Sequence, residues 1–262
     1  MTDLSLSDLQ LVIDRQKALG RRLIWLLLVP FVMTAVLVYM FIKIDSHVSN
    51  IAITEKLINI ESILSQDNNY AWGISEYEII AKSHRNAPIL ARLGALYFLA
   101  NPKDSDRALA TLMDANRADP QSWEPYRELA FVYATMDKPK EAIEAGAKAI
   151  KLNSLDANTY NNLAWVYSHS KDNQYRNLNE ALLDAEKAVS FTNEKYPDYL
   201  ETLAQVYIQR EDPESKHRAF EILKKAALIA PNDKKGTFIK ELRENFPNEK
   251  LYFAEDKLEA DK

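Results

Sequence analysis

The side chains that most often carry chemistry are few in this chain and lie far apart. None of its four histidines falls in a metal-binding spacing such as H-E-x-x-H. Two of them, His169 and His217, fall in predicted turns, where we expect them to be exposed to solvent; the others are His47 and His84. The chain has no cysteine, so neither disulfides nor thiolate metal sites can form. We therefore expect no catalytic residue and no metal site.

Phosphate-binding loops and catalytic carboxylate pairs are not indicated either. The five glycines are too widely separated to form a glycine-rich phosphate cradle. Carboxylates such as Glu141 and Glu144 are interspersed with lysines, which is typical of a solvated helix face. The formal net charge of -5 is unfavourable for binding nucleic acid. The sequence predicts a protein that is not an enzyme, needs no cofactor, and binds neither nucleic acid nor a small-molecule substrate.

A doubled pattern recurs every thirty-odd residues between positions 87 and 233. In the first part, a Leu and a small residue are followed by a Tyr one helical turn after the Leu: Leu93 and Tyr97, Leu129 and Tyr133, Leu163 and Tyr167, Leu203 and Tyr207. In the second part, two alanines lie seven residues apart: Ala108 and Ala115, Ala142 and Ala149, Ala181 and Ala188, Ala219 and Ala226. Large side chains facing small ones allow two helices to pack closely, which predicts a repeated helical hairpin.

These positions resemble the tetratricopeptide repeat (TPR) family, whose motif has a large residue, Leu-Gly, Tyr, two Ala and Pro over about 34 residues. Pro120 and Pro231 match the last position, while Ser154 and Asn193 replace that proline in the other two repeats and are expected to loosen the boundary there. The resemblance implies an all-α, right-handed superhelix of about four hairpins with capping helices. The third and fourth hairpins are also similar to pairs found in bacterial envelope proteins.

The spacing between repeats departs from the family pattern. Successive motif leucines are 36, 34 and 40 residues apart, so extra residues are expected in the turns inside the first, third and fourth hairpins. These predicted insertions would project from one edge of the stack. They cover residues 101–106, 169–178 and 210–217.

In the TPR family the first helix of each hairpin lines a concave groove that binds peptides. The resemblance implies that this groove contains Arg92, Phe98, Arg127, Phe131, Asn161, Asn162, Trp165, Glu201 and Gln205. Packing between hairpins is an equally good interpretation of Phe131 and Trp165. The third and fourth repeats offer Asn, Glu and Gln where the family's carboxylate clamp needs cations, which argues against recognition of a C-terminal carboxylate alone.

A run of 20 uncharged residues, from Leu23 to Ile42, precedes the repeats. As a helix it would span about 30 Å, the thickness of the hydrocarbon core of a bilayer. It is longer than the apolar part of a signal peptide and is not followed by a small-x-small cleavage site, so we expect it to remain attached. The sequence predicts one transmembrane helix at 23–44, which contacts the lipid bilayer through residues 23–42.

The positive charges around this run predict its orientation. Four cations precede it, whereas Lys43 and Lys56 are the nearest that follow it; the preceding four are Arg15, Lys17, Arg21 and Arg22. Because positive residues favour the cytoplasmic side, we expect a cytoplasmic N-terminus and repeats on the other side of a bacterial inner membrane, in the periplasm.

The remaining segments complete the predicted organisation. Residues 1–22 form a cytoplasmic segment, either a solvated lead-in or a docking helix. Residues 45–86 contain an apolar stripe at Ile53, Leu57, Ile60 and Leu64 and are expected to form a degenerate hairpin that caps the repeats, with a dimerising stalk as the alternative. Residues 234–262 are expected to form a capping helix, with Phe238, Ile239 and Leu242 on its apolar face, and a charged tail.

Together these features predict a membrane-anchored scaffold that binds protein or peptide partners and assembles or stabilises an envelope complex. The alternative is a periplasmic chaperone-like module that handles exported polypeptides, for example during cytochrome maturation.

Overall fold

The computed structural model describes residues 33–43, 50–103 and 105–249, and these residues form helices and the turns between them. The chain divides into two compact units, Met1–Asn68 and Asn69–Lys262. The predicted N-terminal segment (1–22) and the charged tail from residue 250 onward lie outside the described residues.

The described part of the first unit consists of two helical stretches, residues 33–43 and 50–67. Within the described residues, no helix combines the length and the apolar character needed to cross a membrane. Of the predicted transmembrane run, residues 23–32 lie outside the described part, and residues 33–42 are helical with exposed side chains. The sequence predicts that helix 50–67 pairs with the helix that follows it. Because this pairing would lie between the two units, it stays a prediction.

The described residues of the second unit form ten helices. In chain order they are α1 (Tyr70–Ser83), α2 (Ala87–Ala100), α3 (Ser105–Ala118), α4 (Glu124–Thr135), α5 (Pro139–Leu152), α6 (Ala157–His169), α7 (Leu178–Phe191), α8 (Pro197–Gln209), α9 (Pro213–Ile229) and α10 (Asn232–Asn245). The most extensive contacts join α2 to α3, α4 to α5, α6 to α7, and α8 to α9. These are the four predicted hairpins, so the predicted all-α hairpin repeat is confirmed.

The large and small residues of the repeat motif meet in the core of each hairpin. In the first hairpin, Leu93, Gly94 and Tyr97 of α2 are buried, as are Ala108, Leu112 and Ala115 of α3. The helices approach so closely that a Cβ atom added to Gly94 would lie 2.8 Å from the Cγ atom of Leu112. In this hairpin the small residue beside the motif leucine therefore sets the separation of the two helices.

The two boundaries that lack the family proline are formed by other residues, and whether they are looser than the others stays a prediction. At the end of α7, Asn193 and Glu194 have positive φ angles of 49° and 58°, and the Glu194 backbone N–H donates to the Val189 carbonyl over 3.0 Å. Such a left-handed turn ends a helix without proline. Before α6, the Asp156 carboxylate accepts a hydrogen bond from the Thr159 backbone N–H over 3.0 Å and caps the helix.

The predicted insertions have different structures. Residues 170–177 form a long turn between α6 and α7, closed by a 2.8 Å hydrogen bond from the Asn177 N–H to the Tyr167 carbonyl. The prediction of an extended turn at 210–217 is wrong, because α9 already begins at Pro213 and is lengthened at its N-terminal end. The Asp212 side chain caps this longer helix by accepting from the Ser215 N–H over 2.9 Å.

The capping helix expected within residues 234–262 is α10, which begins two residues before that range, at Asn232. It buries Phe238 and Leu242 in the core formed by the last two hairpins. Its other face is charged, with Lys240 and Glu244 both exposed. The helix therefore covers the apolar end of the repeats and offers a polar surface to solvent.

Candidate protein-binding groove

The first helices of the hairpins form one layer, in which α2 contacts α4, α4 contacts α6, and α6 contacts α8. A cleft of about 550 Å³ lies on this layer and extends to the α4–α5 turn and to the start of the long turn after α6. Four of the nine predicted groove residues line it: Phe131, Asn161, Asn162 and Trp165. We refer to it as the main cleft.

Two adjacent asparagines supply the amide groups of the main cleft. Asn161 and Asn162 are half-buried on α6. The Asn161 Oδ1 atom is buried and, among the described residues, accepts no hydrogen bond. A buried acceptor without a donor costs about 1 to 3 kcal/mol, so its position favours a ligand that brings an N–H group. A peptide backbone has such a donor at almost every residue.

The aromatic part of the main cleft is a stacked pair, Trp165 and His169. Their ring centroids are 3.6 Å apart and the ring planes differ by 13°. Trp165 is 44% exposed. His169 also lies close to the Ser168 hydroxyl, at 2.8 Å from Nδ1, and to the Gln209 side-chain nitrogen, at 3.3 Å from Nε2. The pair forms a rigid apolar surface that a ligand can contact.

The prediction that His169 is a solvent-exposed turn residue is wrong. It is the last residue of α6 and is half-buried. Burial lowers the pKa of His169 below its ordinary value of 6.5, and the charge of Arg176 lowers it further. The imidazole is therefore neutral at pH 7 and stacks on the indole without carrying a charge.

The two predicted phenylalanines differ in position. Phe98 is 2% exposed and packs edge-on against Phe131, with ring centroids 5.8 Å apart and an interplanar angle of 88°. Phe98 is thus a core residue that joins α2 to α4, not part of the groove surface. Phe131 packs against it and also lines the main cleft. Phe131 can therefore both pack against Phe98 and contact a ligand in the main cleft.

The predicted arginines lie outside the main cleft. The Arg127 Nε atom donates to Glu128 over 2.9 Å, its Nη1 atom is 3.8 Å from Asp156, and its guanidinium lies 4.8 Å from the Trp123 ring centre. Its side chain is 20% exposed, so these intrachain contacts account for most of its surface. Arg92 is half-buried on α2. The structure does not bring either arginine together with the asparagines.

Glu201 and Gln205 on α8 face the last helix. Gln205 donates a hydrogen bond to Glu241 of α10, and the Glu201 carboxyl lies within hydrogen-bonding range of Glu241. Burial, together with the charge of Glu241, raises the pKa of Glu201 to about 7. Both residues line a second hollow of about 350 Å³, which shares Trp165 and His169 with the main cleft. We refer to it as the carboxylate hollow.

Several residues of the site were missed by the sequence reasoning. Lys171 and Asp137 form a 2.8 Å ion pair at the edge of the main cleft, between the turns of two neighbouring hairpins. Glu241 contributes to the carboxylate hollow from the capping helix. In the part of the chain that the structure describes, no three metal-binding side chains are grouped so as to hold an ion.

The paired helices and the cleft along their first layer define a helical-hairpin repeat protein with a candidate protein-binding surface. No protein-family model and no curated protein match the sequence. Solved structures do match. A crystal structure of MamA is 21% identical, with a TM-score of 0.44, and the match covers 76% of this chain and 98% of MamA. YrrB, described as a TPR protein with an unusual peptide-binding site, is 19% identical, with a TM-score of 0.44 over 69% of this chain and 88% of YrrB.

Proposed function

We propose that this chain is a TPR-type scaffold that binds a segment of a partner protein in the main cleft and thereby assembles or stabilises an envelope complex. The observation that carries the proposal is the buried Asn161 Oδ1 atom without a donor, beside Asn162 and the exposed Trp165. An extended peptide would supply N–H donors to the amides and apolar contact for the indole. The resemblance of the repeat motif to the TPR family supports the same function.

The proposal is tested by cross-linking in cells. A photoreactive amino acid at position 162 should cross-link a partner, whereas the same amino acid at position 144, on the exposed face of α5, should not. Asn161→Ala combined with Asn162→Ala should weaken capture about thirtyfold, since each lost hydrogen bond is worth about 1 kcal/mol, or about fivefold in affinity. Equal cross-linking from both positions, or normal capture by the double variant, would contradict the proposal.

We further propose that residues 23–42 anchor the protein in a bacterial inner membrane, with the N-terminus in the cytoplasm and the repeats in the periplasm. The uncharged run and the excess of cations before it support this topology. In the described part of the run, residues 33–42 are helical. Large apolar side chains are exposed there: Leu37 is 63% exposed and Phe41 is 71% exposed. Contact with lipid would bury these side chains.

A further inference from the structure

The carboxylate hollow combines residues from three helices. Trp165 and His169 come from α6, Glu201 and Gln205 from α8, and four residues from α10: Thr237, Lys240, Glu241 and Glu244. Because Trp165 and His169 line both hollows, the main cleft and the carboxylate hollow adjoin at this ring pair. The hollow is therefore placed to hold one side chain of the same segment.

The carboxyls of Glu201 and Glu241 both line this hollow, and among the described residues neither forms an ion pair, although Lys234 acts on Glu201 from farther away. Gln205 donates to the Oε1 atom of Glu241, but the Oε2 atom is buried and accepts from no donor in the described part of the chain. The nearby lysines are engaged elsewhere: Lys240 is 3.7 Å from Glu244, and Lys234 is 3.1 Å from Asp198. Two adjacent carboxyls can hydrogen-bond to each other only when one of them holds a proton.

The aromatic side of the hollow suits a cation as well. The Trp165 ring has His169 stacked against it and remains 44% exposed. Among aromatic side chains, the indole ring attracts cations most strongly, and a planar guanidinium can stack on it while its N–H groups reach two carboxylates. An arginine fits these three partners better than an apolar or acidic side chain.

We propose that the carboxylate hollow receives an arginine side chain of the partner segment, with Glu201 and Glu241 as its counter-ions and Trp165 as its stacking surface. The inference rests on the protein-binding function proposed for the main cleft. The incoming guanidinium takes the place of the proton that the two carboxyls otherwise share.

This exchange makes binding depend on pH. In the free protein, burial and Glu241 raise the pKa of Glu201 to about 7, and burial raises the pKa of Glu241 as well. The other titratable groups that face the pair are Asp198 from α8, Lys234, Lys240 and Glu244 from α10, and His169 from α6, whose pKa is lowered by burial. Since the guanidinium requires the deprotonated pair, the apparent affinity should rise about tenfold from pH 6 to pH 8.

The test uses the full-length chain with ¹⁵N-labelled tryptophan in a non-ionic detergent. The probes are the capped peptide acetyl-Ala-Ala-Arg-Ala-Ala-amide and the same peptide with citrulline, an uncharged isostere, in place of arginine. The NMR signal of the Trp165 indole N–H, assigned with Trp165→Phe, reports binding. We expect the arginine peptide to shift this signal, with the tenfold dependence on pH, and the citrulline peptide to leave it unchanged.

Variants separate the carboxyl pair from the rest of the surface. Glu201→Gln combined with Glu241→Gln should abolish the preference for arginine and the pH dependence, while circular dichroism shows an unchanged helical fold. Glu144→Gln, which removes an exposed carboxylate of α5 outside the hollow, should retain both. Retention of both by the double variant would overturn the inference.

Two results would also overturn it directly: equal binding of the two peptides, or no shift of the Trp165 signal by the arginine peptide. Either result together with a cross-link from position 162 would leave the groove proposal intact. A shift by the arginine peptide without any cross-link from position 162 would instead contradict the groove proposal.

Discussion

Gly146 of α5 lies directly against Leu163 of α6, the first helix of the next hairpin. A Cβ atom added at position 146 would be 2.7 Å from the Cδ2 atom of Leu163 and 2.9 Å from its Cγ atom. Leu163 is itself buried, so it has little room to move away. The missing side chain at this position therefore allows two consecutive hairpins to stack at close range.

Gly146→Ala is accordingly expected to destabilise the protein. Alanine favours a helix by about 1 kcal/mol relative to glycine, but overpacking a core typically costs about 1 to 3 kcal/mol. The steric cost should exceed the gain in helix propensity, and the urea midpoint should fall.

Gly236→Ala provides the matched control. Gly236 lies in α10, and an added Cβ there would meet no atom within 4 Å. The helix-propensity gain of about 0.5 to 1 kcal/mol should then appear by itself as a higher urea midpoint. If both alanine variants were stabilised alike, the close packing of Gly146 against Leu163 would be contradicted.

The repeat motif was predictable because its cause is periodic. Within every repeat, Leu and Tyr lie four residues apart and the two alanines seven apart, and each recurrence reports the same contact between the two helices of a hairpin. The start of α9 was less predictable, because the sequence spacing shows that residues were added without showing whether they extend a turn or a helix. Asp212 and Pro213 are the signals for an earlier start, since they match a helix cap and a first-turn proline.

The candidate site was only partly predictable, for a different physical reason. The TPR resemblance indicates which face of a helix lines a groove, but it does not indicate what else packs on that face. Glu201 meets Glu241, 40 positions later in the chain, only because α10 packs beside α8. Likewise, His169 is half-buried because the helix continues to that residue and its ring stacks on Trp165.

Two aromatic variants should separate packing from binding. Phe98→Ala removes a side chain that is 2% exposed and should cost about 3 to 5 kcal/mol of stability. Trp165→Ala removes a side chain that is 44% exposed and should cost about 1 kcal/mol, while strongly reducing partner capture. Urea unfolding and capture of the partner cross-linked from position 162 measure the two effects. Normal capture by Trp165→Ala would show that the indole serves packing alone.

The stability of the folded chain should depend on the proton shared by Glu201 and Glu241. The pKa of Glu201 is raised from 4.5 to about 7 on folding, so the folded state binds more protons than the unfolded state between these values. This contribution to stability is fully present below pH 4.5 and is lost as the pH rises through 7. Because the group is partly exposed, we expect a loss on the order of 1 to 2 kcal/mol.

Glu201→Gln isolates this contribution, because an amide cannot titrate. Urea unfolding at several pH values between 4 and 8 should show that the variant loses less stability than the parent as the pH rises. The difference between the two curves belongs to the carboxyl pair, since other titrating groups cancel. Parallel curves would mean that Glu201 has an ordinary pKa in the folded protein.

The membrane topology can be tested through the cations that precede the uncharged run. A reporter enzyme that is active only outside the cytoplasm, fused after Lys262, should be active in the parent protein. Arg21→Glu combined with Arg22→Glu, with lysines added after Ile44, moves the positive charge to the other side of the run and should weaken or invert this result.

The matched control is Lys234→Glu with Lys235→Glu, which removes two cations within α10, far from the run in sequence, and should leave the orientation unchanged. Full activity of a reporter that works only in the cytoplasm, fused at the same point of the parent protein, would contradict the proposed orientation. The repeats would then be cytoplasmic, and the four cations that precede the run would lie outside the cytoplasm, which the positive-inside rule disfavours.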